Sequence, residues 1–187
     1  MSTTRSTRPS GPRRPRISAE LWVEVQQFYA HQMPLLEARR LEEFLETFTD
    51  DCTLEHLPFG WRFEGKEQLL KEMSARRGDA SKPRADETSA RRAREENIAY
   101  YDGLVYRYWF DRMLIHPADD DHGGGDGALK VRYQAIVSMT DAEGRVSFEP
   151  TTVVEDLLVR RDGELYTHSR LVTHDSANWA DKIHNPS

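Results

Sequence analysis

The side chains best suited to moving a proton, or to stabilising the charge it leaves, lie far apart along this chain: Tyr29, His56, Asp156 and Arg170. An imidazole titrates near neutral pH, so His56 can take up and return a proton under ordinary conditions. It lies in "TLEHLP", where strand alternation puts Leu54 and His56 on one face and Glu55 and Leu57 on the other. Two readings of His56 stand: a catalytic group at a pocket rim, or a rim histidine bonded to a backbone carbonyl. Tyr29 shares a helix face with Val25 and Gln32. Its hydroxyl could polarise a substrate carbonyl, or simply be satisfied within a core.

Asp156 and Arg170 belong to "VVEDLLVRRDGELYTHSRLVTHD", which reads as two strands joined at Asp162-Gly163, a strong hairpin signal. A two-residue loop pairs Glu155 with Arg170, Leu157 with His168 and Val159 with Tyr166. The other face pairs Val154 with Leu171, Asp156 with Ser169 and Leu158 with Thr167. Glu155–Arg170 is then either a cross-strand ion pair worth ~0.2–1 kcal/mol or a catalytic pair. Asp156 is left among apolar neighbours with only hydroxyls as local partners, surroundings that suit a general acid or base. The alternative turns Asp156 to water and buries the opposite face.

Other chemistries find little support. His31, His56, His116, His122, His168, His174 and His184 include no His-Glu-x-x-His pair, so no metal site is expected. "DDDHGGGDG" lacks the alternating ligands and terminal Glu of an EF-hand loop, and no Lys-Ser/Thr follows its glycines. No Rossmann fingerprint or nucleophile elbow is present. No cofactor is expected.

The elements that must position these groups follow from spacing. Ser18 caps a first helix over "ISAELWVEVQQFYAHQM", which Pro34 must kink or restart. "LEEFLETF" places Leu41, Phe44, Leu45 and Phe48 on one side of a second helix, stopped by Thr49-Asp50-Asp51. "CTLEHLPFGWRFEG" is a short β-prone segment, and "GKEQLLKEMSARRG" a third helix. Residues 79–97 are strongly charged and read as a solvated helix or a mobile lid. From Ile98 onward the chain turns to long aromatic and branched strands. Helices first and antiparallel strands after predict an α+β fold with helices on one face of a curved sheet.

Composition bounds the rest. The chain has 187 residues, 37% hydrophobic and 31% charged, enough for one core with polar tails and faces. Cys52 is the only cysteine, so no internal disulfide can form, and a reducing, cytoplasmic location is expected. No apolar run reaches the ~18 residues of a membrane span. The net charge is −6, yet residues 1–16 carry Arg5, Arg8, Arg13, Arg14 and Arg16 and no acid, so removing their +5 leaves −11 on the rest. Residues 1–16 read as a disordered leader, residues 17–176 as one domain and 177–187 as a tail. An acidic body repels phosphate, which argues against a nucleic-acid arm, and no membrane partner is expected.

"FYAHQMPLLEARRLEEFLETFTDDC", "EGKEQLLKEM", "YRYWFDRM" and the terminal hairpin resemble the NTF2-like superfamily, and within it the SnoaL-like proteins and the β subunits of aromatic-ring-hydroxylating dioxygenases. The nearest resemblance is to tailoring proteins of actinorhodin-type aromatic polyketide pathways, over roughly residues 20–176. It implies a cone-shaped fold, a curved antiparallel sheet wrapped around three N-terminal helices, with a cavity at its open end. It further implies a cofactor-independent cyclase or dehydratase acting on an aromatic polyketide, in a homodimer. On that basis His56 and Asp156 exchange the proton, Tyr29 or Arg170 stabilises enolate or phenolate charge, and Trp109, Tyr108, His168 and Tyr133 contact substrate. Of Tyr108 and Trp109, only one can face inward. The resemblance also leaves two non-catalytic readings, a dioxygenase β subunit with its α subunit as partner, and a binding protein that shelters an intermediate. One cysteine excludes a Rieske α subunit, whose cluster needs two. A third reading has the leader dock an acidic carrier protein.

Overall fold

The computed structural model describes residues 17–57, 60–75, 104–118 and 127–175. The arginine-rich leader, the charged stretch 79–97 and the tail 177–187 fall outside them. The elements are α1 (Ala19–Glu37), α2 (Leu41–Glu46), β1 (Phe48–Leu57), β2 (Trp61–Glu64), α3 (Gly65–Ala75), β3 (Val105–Pro117), β4 (Leu129–Thr140), β5 (Val146–Phe148), β6 (Thr152–Arg161) and β7 (Glu164–His174).

Helix α1 begins as the sequence predicts: the Ser18 hydroxyl accepts the Leu21 N–H at 3.1 Å. It does not break at Pro34 but runs on to Glu37. It ends where Arg39 adopts φ 57°, with Arg39 N–H on the Leu36 carbonyl and Arg40 N–H on that of Leu35. This double closure is the kind that a glycine ordinarily makes, here built with arginine.

The second helix is shorter than its apolar spacing predicts. It stops at Glu46, and Phe48 through Asp51 belong to β1 rather than to the helix and its stop. Thr47 makes the corner: its hydroxyl donates to the Phe44 carbonyl and accepts from Gln32 Nε2. Its own carbonyl receives the Thr167 N–H, so the chain enters the sheet one residue later.

Among the described residues the sheet has seven strands in the order β2-β1-β7-β6-β4-β3, with β5 also on β4. Neighbours are antiparallel except β1 and β7, which run parallel. Strands β5 and β6 pair with the same edge of β4, and Glu149–Thr151 interrupt them with a one-residue change of register. Tyr29 and Met33 of α1 pack on Val131, Tyr133 and Leu158; Phe44, Phe48, Leu54 and Leu69 join α2 and α3 to β1. Each such side chain contributes about 1.5–3 kcal/mol by leaving water.

The hairpin turn forms as predicted, with Asp162 at φ 50° and Gly163 at φ 90°, the two positive values of a type I′ turn. Next to it Val159 pairs with Tyr166 and Leu158 with Thr167. One residue, His168, is then extra, and the register shifts. Beyond it Asp156 pairs with Arg170 and Glu155 with Leu171, not Asp156 with Ser169 and Glu155 with Arg170 as an unbroken ladder requires. That single bulge decides which acid meets the arginine.

Candidate active site

The inner faces of β7, β6, β4 and β1 share a row of facing residues: Tyr133, Val154, Val172 and His56, continued by Trp61 on β2. Two positions deeper, the row runs Val131, Asp156, Arg170 and Leu54. Toward the other end, Thr152 pairs with His174. Strand β7 therefore presents Arg170, Val172 and His174 to one side, over about 13 Å of strand. These residues, Asp156 and Val131 apart, line a cavity of about 400 Å³ between sheet and helices.

The deep end is polar and closed. Arg170 is 6% exposed and Asp156 3%. Arg170 donates from Nε to Asp156 Oδ1 at 2.8 Å, and from Nη2 to Asp156 Oδ2 at 2.6 Å and Gln32 Oε1 at 2.7 Å. The Tyr29 hydroxyl donates to Asp156 Oδ2 at 2.7 Å. Gln32 is fixed in turn by the Thr47 and Thr167 hydroxyls. Burial alone would lower the Arg170 pKa, but Asp156 and the two tyrosines outweigh it and raise it, so the guanidinium stays charged. Burial first, and Asp156 next, push the Tyr29 hydroxyl well above the ordinary tyrosine range. Tyr133 is likewise held protonated by burial, against the pull of Arg170.

Toward the other end the His56 and His174 rings meet edge to edge, their planes 21° apart, with Nδ1 of His56 2.9 Å from Nε2 of His174. Trp61 lies against His56, ring centres 6.0 Å apart. At that separation one imidazole must donate and the other accept, so the tautomer of each fixes that of its neighbour. Among the described residues no three His, Cys, Asp or Glu side chains converge on a metal position.

Of the residues singled out in the sequence, His56, Arg170, Tyr108 and Tyr133 line the cavity. Tyr29 and Asp156 lie behind its deep wall, where Asp156 has a cation and a phenol as partners instead of the hydroxyls of Ser169 and Thr167. Trp109 does not wall the cavity: alternation turns Tyr108 inward and leaves Trp109 on the outer face, 59% exposed, its Nε1 donating to the Ser138 hydroxyl. His168, displaced by the bulge, reaches Thr49 Oγ1 at 3.0 Å and Asp51 at 3.5 Å, away from the cavity lining. His174 was missed. Its signal is the strand period: in "RLVTH" it stands four residues after Arg170, on the same face.

Residues 18–171 match the SnoaL-like domain family. Solved structures agree over most of the chain. Aln2 from a Streptomyces species is 31% identical over 89% of this chain and 98% of its own, with a TM-score of 0.66. ActVI-ORFA from Streptomyces coelicolor is 28% identical over 84% and 98%, TM-score 0.64. A Catenulispora acidiphila protein solved in complex with S-DNPA is 29% identical over 87% and 99%, TM-score 0.64. No curated protein matches the chain. Among the described residues no helix is long and apolar enough to cross a membrane.

Proposed function

The chain belongs to the SnoaL-like family, and on that premise we propose that it is a tailoring enzyme that cyclises or dehydrates an aromatic polyketide intermediate by general acid–base chemistry, without a cofactor. The observation that carries this reading is the His56–His174 pair, two imidazoles joined at 2.9 Å in a cavity walled largely by apolar side chains. Similarity to ActVI-ORFA and Aln2 supports the polyketide class of substrate.

The pair can act as one unit. With the shared proton on His56 Nδ1, His56 Nε2 takes a proton from carbon next to a substrate carbonyl. The Nδ1 proton passes to His174 Nε2, and His174 gives its Nδ1 proton to a departing hydroxyl, which leaves as water. The pair ends neutral in the mirrored tautomer and resets by exchange with solvent. Each proton transfer supplies about 10²–10⁴-fold. Asp156 does not carry the proton in this scheme; it and Tyr29 hold Arg170 in place. Replacing either histidine with alanine should abolish most turnover while the fold persists.

The same reading includes a homodimer formed through the outer sheet face. Trp109, Val146 and Phe148 support it, being 59%, 55% and 63% exposed on β3 and β5, the two strands that flank this end of β4.

A further inference from the structure

The deep wall contains two hydrogen-bond donors that no acceptor among the described residues takes up. Arg170 spends Nε and both Nη2 protons on Asp156 and Gln32. Its Nη1 group meets no acceptor among the described residues, although Arg170 is 6% exposed and lines the cavity. Tyr133 is 2% exposed, lines the same cavity, and its hydroxyl makes no hydrogen bond among the described residues. Buried tyrosine hydroxyls ordinarily find a partner. Arginine can only donate, and the Tyr133 phenol keeps its proton, so what satisfies each of them is an acceptor.

The charge around these donors narrows the acceptor's chemistry. The two bonds to Asp156 cancel the Arg170 charge locally. A permanently ionised ligand group would lose its hydration there without gaining a net counter-charge. A neutral carbonyl oxygen loses less, and charge that grows on it is met by donors already held in the cavity wall. Along β7 the Arg170 position lies about 7 Å from that of Val172, which faces His56. That is roughly one substituted ring across.

We infer that Arg170 Nη1 and the Tyr133 hydroxyl form a seat for one oxygen of the substrate, a ketone that enters neutral and becomes an enolate or phenolate as a neighbouring carbon loses its proton. This rests on the acid–base reading for the reaction but not for the binding, so the two fail separately. The seat selects ketones on a ring fused to an aromatic ring over aryl carboxylates of the same size.

The test is fluorescence titration of the full chain and of Tyr133→Phe with 2-tetralone, 2-naphthol and 2-naphthoate, alongside thermal unfolding. The wild type should bind 2-tetralone and 2-naphthol about tenfold tighter than Tyr133→Phe, the factor that one hydrogen bond supplies. Naphthoate should bind no tighter than the ketone and be indifferent to the substitution. Tyr133→Phe should melt at or above the wild-type temperature, because it removes a hydroxyl that has no hydrogen-bond partner among the described residues. Equal ketone affinity in both proteins, preference for naphthoate, no ketone binding by the wild type, or a melting point lowered by several degrees would each overturn the inference. A His56→Ala protein that binds 2-tetralone normally yet turns over substrate like the wild type would sink the proton-transfer reading and leave the seat standing.

Discussion

The Asp156 carboxylate takes two N–H groups from Arg170, at 2.8 and 2.6 Å, because one extra residue at His168 shifts β7 against β6. The pair is nearly out of contact with water, with side chains 0% and 5% exposed. Its worth lies less in net stability than in what happens when half of it is removed.

Asp156→Asn leaves the Arg170 cation buried with its partner's charge gone. It should destabilise the protein by about 3–5 kcal/mol, read by urea unfolding. The pair replacement Asp156→Leu with Arg170→Met should recover much of the loss. A single variant as stable as the wild type would show that the pair does not govern this wall.

Above the tyrosine range, stability should fall with pH. Tyr29 and Tyr133 keep their protons when folded, through burial above all, whereas the unfolded chain releases them near pH ~10. Their contribution is fully present below that pH. It shrinks as pH rises, because the folded state then holds more protons, by up to about 1.4 kcal/mol per pH unit for each group. Unfolding measured between about pH 9 and 11 should lose part of this slope in Tyr133→Phe and part in Tyr29→Phe. Identical slopes in all three proteins would contradict the burial argument.

The exposed outer face makes a prediction about assembly. Trp109→Ser combined with Phe148→Ser should convert a dimer to a monomer in sedimentation experiments, with little change in the unfolding midpoint. A monomeric wild type, or a dimer that survives both changes, would rule out this face as the interface.

Much of this architecture is legible in the sequence, because local rules decide it. Ser18 reads as a cap, Asp162-Gly163 as a tight turn, and the helices-then-strands order as a helix-covered sheet. What escapes is set by tertiary pairing. Phe48 has helical spacing with Phe44, yet Thr47 is drawn into the sheet by its bond from Thr167, and the helix ends early. His168 looks like one more alternating residue, and nothing local marks it as the bulge that gives Arg170 to Asp156. The choice of Tyr108 over Trp109 as the inward ring needs the sheet's orientation. The His56 partner could have been sought by counting in twos from Arg170 to His174, but only the parallel pairing of β1 with β7 brings the two rings together.

Turnover by the histidine variants tests the central claim most directly. Purified wild type, His56→Ala, His174→Ala and the double variant should be compared on an aromatic polyketide intermediate that the wild type converts, under single-turnover conditions. Each single variant should lose about 100-fold or more in rate, the double variant should fall little further because the pair acts as one unit, and all should melt within a few degrees of the wild type. Wild-type rates in both single variants would contradict the account, whatever the fate of the fold around them.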